Sequence, residues 1–394
     1  MSKNLITKSS KYESLSKLLD KMVMKCLWFS CLCFIMLQGC IFNKDDSNNG
    51  TITPSSQDAY VSKIAYDADT LLKYLHQRKN FNGNILVVHN GLKILQKSYG
   101  YADFRAKTIL TSQSNFRIGA LSKQFTAMAI MMLKESGKIS YDDPVRKFFR
   151  GFPYPNITIR QLLTHTSGLP NYGEYFAKVV LTSKYKFTSP TNQDVLLWLI
   201  NEKPKLYFKP GESWLYTNTG YILLALIVEN VSRKPFLEYL QERIFKPLDM
   251  TNTLVYDKKQ NDKVPQRVYG FRKNRRLYDN HLFDRMYGDS NMYSSTEDLY
   301  KWDQALRSER LVKQSTLTEA FSPTPYFKGL FKKNYGFGWH LDKQGNTAYH
   351  LGSTGGFRCS IMRGLDKDNC VVLLTNNEDG RYENIAKTIF DWLD

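Results

Sequence analysis

The residues able to do chemistry fall in four short stretches, and the first, Phe116 to Ala127 (FRIGALSKQFTA), opens a helix with Lys123 near its start. Positions 120 and 123 project from neighbouring points of one helical face. Position 120 is Ala120, whose methyl group cannot attack a carbonyl, and a lone lysine at a helix start is usually just a solvated charge. The second stretch, YTNTGY, presents the phenol of Tyr216 and the amide of Asn218 just before a helix. Taken alone, that pair reads as a capped helix with Asn218 as the cap. In the third, LTHTSGLP, Gly168 and Pro170 force a turn behind His165. That imidazole is either a catalytic base or, the commoner use, a ring hydrogen-bonded to backbone at the turn. The fourth, YHLGSTGGF, sets His350 and Gly352 two apart on a strand. Gly352 would let a ligand lie close against the strand edge, and the Ser353 amide can point at a developing oxyanion.

Elements at both ends of the chain must position these groups. Apolar residues at helical spacing predict a helix over Val61 to Arg78, and a hairpin follows, with Gly83 to His89 and Lys93 to Ser98 joined through Asn90 and Gly91. Residues 121–250 turn mostly helical, with segments at Leu121 to Glu135, Thr191 to Asn201, Thr217 to Val231 and Pro235 to Ile244. Strands return at Gly336 to Leu341, Ala348 to His350, Gly356 to Arg363 and Cys370 to Asn376, before a last helix, Tyr382 to Leu393. A two-stranded hairpin alone is marginal in water, so the early strands are expected to join the late ones in one sheet. The expectation is an α+β fold: an antiparallel sheet covered by N- and C-terminal helices, with an inserted, mostly helical lobe and a cleft between them.

Read together, the four stretches resemble the serine β-lactamase-like family, which includes class C β-lactamases, DD-peptidases and related esterases. In that family a Ser-x-x-Lys helix start, a Tyr-x-Asn loop and a Lys- or His-x-Gly strand face one another across a cleft. This chain matches with Lys123, with Tyr216 and Asn218, and with His350 and Gly352, in that order, and the resemblance runs from about Lys63 to Leu393. It implies that Tyr216 and Lys123 form the base pair, the ammonium lowering a phenol whose ordinary pKa is near 10. It further implies that Asn218 holds a substrate amide and that His350 completes the polar network where relatives often carry Lys. The amides of Ala120 and Ser353 would form the oxyanion hole, with Gly352 beside them on the substrate side. No metal or other cofactor is implied.

Ala120 stands where the resemblance calls for the nucleophilic serine, so no covalent acyl-enzyme can form there. Loss of such a serine costs on the order of a millionfold in turnover. Ser122 is a poor substitute, standing about 200° around an ideal helix from Ala120 and away from the side that presents Lys123. A second departure lies in Gly288 to Thr296 (GDSNMYSST), where relatives tend to carry paired glycines and this chain has Ser290 and Asn291. Two expectations follow. One is a catalytically impaired relative that keeps its cleft for peptidoglycan-like peptides, D-amino-acid or ester ligands or a protein partner. The other is an active hydrolase of esterase, peptidase or β-lactamase type working through a non-standard nucleophile or an activated water.

The chain has 394 residues, a formal charge of +18 and six cysteines. Its basic residues are interspersed with acids, and the tightest cluster is Arg272, Lys273, Arg275 and Arg276, which reads as a solvated loop rather than a nucleic-acid surface. Four cysteines lie in or directly after the apolar run Cys26 to Leu37, which is too short to span a bilayer and suits the core of a signal peptide behind Lys21 and Lys25. The run ends in Leu37-Gln38-Gly39-Cys40, resembling a bacterial lipoprotein processing site with Cys40 as the lipidated residue. The expected organisation is thus a signal peptide over 1–40, a flexible tether over 41–58, and one β-lactamase-like domain over 59–394 whose helical lobe covers about 121–330. The expected place is the bacterial cell envelope, on the membrane through the lipid anchor; secretion into the periplasm or beyond and an uncleaved anchor are the alternatives. Cys359 and Cys370 are expected to be buried free thiols on adjacent strands that do not face each other.

Overall fold

The computed structural model describes residues 56–182, 189–259, 263–279, 282–323 and 334–394, so the signal segment, Cys40 and the tether as far as residue 55 lie outside the described residues. Helix α1 (Ser56–Lys79) begins inside the stretch read as tether. Asp58 in its first turn complements the unpaired amides of a helix N-terminus. The hairpin of β1 (Gly83–His89) and β2 (Leu92–Tyr99) turns through Asn90 and Gly91 with φ of 47° and 80°. That left-handed pair matches the right-handed twist of the strands it joins. A short pair, β3 (Tyr101–Asp103) and β4 (Thr108–Ile109), follows.

Three brief strands, β5 (Phe116–Arg117), β6 (Leu254–Val255) and β7 (Met292–Ser294), form a small sheet in the order β5-β7-β6. The remaining strands are β8 (His340–Leu341), β9 (Thr347–Thr354), β10 (Phe357–Gly364) and β11 (Cys370–Thr375). With β1 and β2 they build one six-stranded sheet in the order β2-β1-β11-β10-β9-β8, and each pairing is antiparallel. The early and the late strands meet at β1 and β11, where Gly83 faces Thr375 and Val88 faces Cys370. Only the last two residues of the expected Gly336 to Leu341 strand pair with β9; the Gly336 amide donates to the Trp339 carbonyl and Gly338 has φ of 81°, so the rest is a turn.

Both faces of this sheet are covered, so its central strands are buried from end to end. Ile85 and Val87 of β1 and Val371 and Leu373 of β11 pack under α1 and α10 (Tyr382–Asp391). The alternate residues Leu86, Val88, Val372 and Leu374 join the larger core of the helical lobe. That lobe holds α2 (Ser122–Glu135), α3 (Ile159–Leu163), α4 (Tyr172–Thr182), α5 (Asn192–Glu202), α6 (Thr219–Ser232), α7 (Phe236–Leu240), α8 (Thr296–Ala305) and α9 (Gln314–Ala320). Its expected end near 330 falls outside the described residues. Helix α6 is buried without a break from Thr219 to Val228, as befits a helix apolar on every side. The free thiols Cys359 and Cys370 are buried, facing Leu374 and Arg363 across their strands rather than each other.

Candidate active site

Ala120 sits on a single turn, Gly119–Leu121, wedged between the small sheet and β9 and leading straight into α2. The Ile118 amide donates to the Met292 carbonyl, and Gly119 takes φ of 56° to make the corner. Ser122 fastens the corner. Its buried hydroxyl donates to the Gly119 carbonyl at 2.7 Å and accepts from the Met292 amide at 3.2 Å, so it is committed to backbone. Half-buried Ala120 instead lines a cleft of about 480 Å³ together with Asn218, Asp289, Ser290 and Ser353.

One turn further on, Lys123 is wholly buried beneath that cleft. Its Nζ donates to the Asn218 Oδ1 at 2.8 Å and to the Asp289 carbonyl at 2.9 Å. Burial pulls its pKa down from 10.5 to about 8, against the opposing field of Asp289. Asn218 is the N-cap residue of α6 by position, but its side chain makes no capping bond. The oxygen that would have capped the helix holds the lysine, so the simpler reading of Asn218 gives way.

Half-buried Tyr216 offers Lys123 the face of its ring, with Nζ 4.9 Å from the centroid. Contrary to the expected lowering by a neighbouring ammonium, burial first, then Tyr221 and the Asp289 carboxylate, push the Tyr216 phenol well above its ordinary range. The amine beside the ring, whose own pKa is lowered, is the better proton acceptor of the two. Around Tyr216 close the rings of His165, His340 and His350.

His165, at φ of 60°, is fully buried and its Nδ1 accepts from the Thr217 amide at 3.4 Å. It thus braces the Tyr216–Asn218 loop, as a structural imidazole would. His350 is buried too, with Nδ1 2.9 Å from the Leu351 carbonyl and Nε2 3.2 Å from the Tyr335 hydroxyl. Burial first, then the fields of Lys123 and of the neighbouring histidines, hold both imidazoles well below the usual histidine range. Gly352 on the same strand face leaves room that the protein itself uses: a Cβ there would lie 2.0 Å from the Ile118 carbonyl. A Cβ on Gly119 would in turn lie 3.0 Å from the Ser353 amide nitrogen, so the two bare backbones bring Ala120 and Ser353 to one edge of the cleft.

Asp289 is the group that residue patterns did not reveal. Its carbonyl anchors Lys123, while its carboxylate accepts from the Tyr172 hydroxyl at 2.9 Å and from the Ser290 hydroxyl at 3.1 Å. Residue types in Gly288 to Thr296 signal only a change of loop shape, because a backbone carbonyl leaves no trace in residue type. Among the described residues no group of three or more His, Cys, Asp or Glu side chains is placed to hold a metal ion. The arrangement can bind a polar ligand beside a buried amine of lowered pKa. At position 120 it presents a methyl.

A family described as Beta-lactamase matches residues 68–391. Penicillin-binding protein 4* of Bacillus subtilis is 35% identical over 337 residues, a match covering 80% of this chain and 72% of that one. Among solved structures, the octameric penicillin-binding protein homologue from Pyrococcus abyssi superposes with a TM-score of 0.70 at 27% identity, covering 82% of this chain and 75% of its own. The penicillin binding protein from Bacillus halodurans does so with a TM-score of 0.69 at 25% identity, covering 80% and 98% respectively.

Proposed function

The chain belongs to the beta-lactamase family of serine hydrolases, and from that premise we propose that it is a catalytically impaired envelope lipoprotein whose cleft binds peptidoglycan-like peptides, D-amino acids or their esters. One observation carries the reading: Lys123 remains buried and bonded to Asn218 and to the Asp289 carbonyl around a position that holds only the methyl of Ala120. Acyl transfer needs a hydroxyl at that point, whereas binding needs only the surrounding donors and acceptors. In this proposal Asn218 and the Ser353 amide hold the ligand, Gly352 keeps the strand close to the turn, and Lys123, Tyr216 and His350 form the polar floor. Cys40 carries the lipid that tethers the domain to the membrane. The names of the relatives support a ligand of the penicillin-binding class, which is where peptide and ester analogues enter.

Hydrolysis through an activated water is the competing reading, and the Asp289 carboxylate beside the Ser290 hydroxyl in the cleft is the observation that favours it. Turnover of nitrocefin and of short-chain aryl esters separates the two. The expected result is no turnover above the solvent rate, with peptide binding detectable by calorimetry. Turnover that disappears in Tyr216→Phe or Asp289→Asn would replace the binding reading by the hydrolytic one. Metabolic labelling with a palmitate analogue should mark the natural chain and leave Cys40→Ala unmarked; equal labelling would remove the anchor.

A further inference from the structure

The cleft carries the opposite charge from the chain. Lys and Arg outnumber Asp and Glu by 55 to 37, yet the charged side chains that line the cleft among the described residues are Glu174 and Asp289, both acidic. Neither forms an ion pair with a described residue. Glu174, exposed in the first turn of α4, accepts among the described residues from the Tyr207 hydroxyl at 3.0 Å. Asp289 is buried, and among the described residues its carboxylate accepts from the Tyr172 and Ser290 hydroxyls. Hydroxyl donors fix the two carboxylates without neutralising them, and Tyr172 joins their two walls into one surface. Lys123 lies below the floor with its amine bonded to Asn218 and the Asp289 carbonyl. The lining of the cleft among the described residues thus offers two acidic side chains and no basic one. Beside this wall stand the rings of Tyr172 and Phe283, edge to face at 5.3 Å, the kind of aromatic surface a cation also favours.

Resting on the binding role proposed above, we infer that this cleft selects ligands that carry a free primary ammonium group, with Glu174 and Asp289 as the residues that read it. The site itself stands on the cavity and the Lys123 network; the two carboxylates set which ligands it takes. A ligand whose amine is acylated brings no charge to the acidic wall and keeps one of its three N–H donors. The electrostatic part of its loss is the part that varies with salt and with Glu174, whereas the bulk of the acyl group acts alike at every ionic strength.

Calorimetric titration of the full-length protein with D-alanyl-D-alanine and with its N-acetyl derivative tests this. The expected result is at least tenfold weaker binding of the acetylated dipeptide, a gap that shrinks several-fold between 0.05 and 0.5 M NaCl and in Glu174→Gln, and nearly closes in Glu174→Gln/Asp289→Asn. Glu174 is exposed, so the single variant should retain the circular dichroism spectrum and melting curve of the natural chain. Equal affinity for the two dipeptides, or a preference untouched by either substitution, overturns the inference while leaving the binding role standing. Failure of both dipeptides to bind the natural chain at millimolar concentration instead removes the binding role, and the inference falls with it.

Discussion

Lys123 shows how a single side chain ties the site to the stability of the fold. An amine buried away from water favours its neutral form, and here burial takes its pKa from 10.5 to about 8. The unfolded chain therefore binds more protons than the folded one between those values, and stability must rise with pH across that window. Below about pH 8 the folded protein bears the whole cost of the buried charge, roughly 3 kcal/mol at about 1.4 kcal/mol per pH unit. Urea unfolding of the natural chain and of Lys123→Met at pH 7 and again near pH 10.5 isolates this group, since other titrations are common to both. The difference should move in favour of the natural chain by about 2–3 kcal/mol over that rise; a constant difference would mean that the amine titrates alike in both states. The importance of Lys123 was legible from its spacing, but the use of Asn218 was not. The same amide can cap a helix or hold an amine, and only the approach of α2 to the start of α6 decides between them.

At the scale of elements, the site depends on how closely β9 lies against the turn that carries Ala120. Gly352 and Gly119 are bare where strand and turn cross, and a Cβ at Gly352 would stand 2.0 Å from the Ile118 carbonyl. Backbone on both sides cannot swing away as a side chain could, so Gly352→Ala must push the turn off the strand. Overpacking of this kind costs about 1–3 kcal/mol, and it should also abolish ligand binding because Ala120 and Ser353 would part. Gly380→Ala, where an added Cβ meets nothing within 4 Å, is the control and should stay within about 0.5 kcal/mol of the natural chain. Unfolding midpoints of the two variants near each other would show that the turn yields without strain. The sequence marked Gly352 as a place of close approach without saying what approaches. Glycine records that room is needed, and here the occupant is the chain's own Ile118 carbonyl rather than a ligand.

Over the described residues, the fold pairs an early strand, β1, with a late one, β11, and inserts the helical lobe between them, so the cleft is lined by several separate regions of sequence. This closure was legible because a hairpin with one polar edge needs further strands, and the late strands offered them. The partner loops were harder to read: Asp289 contributes a carbonyl and Thr217 an amide, groups that every residue possesses. The gap at Ala120 tests whether the assembled whole still holds its reacting geometry. The turn, the lysine and the strand amide occupy their places independently of the missing hydroxyl, and a serine at 120 adds one oxygen at a half-buried position that opens on the cleft. The buried amine one helical turn away, with its lowered pKa, is placed to take that hydroxyl's proton. Ala120→Ser should therefore become covalently labelled at residue 120 by a fluorescent penicillin or a fluorophosphonate, and Lys123→Met added to it should reduce the labelling rate at least a hundredfold. Misplacement by about 1 Å can cost a similar factor, so the rate reads geometry directly. A folded Ala120→Ser protein that shows no adduct by mass spectrometry after prolonged exposure to both reagents would mean that the cleft has diverged beyond its nucleophile and retains only its capacity to bind.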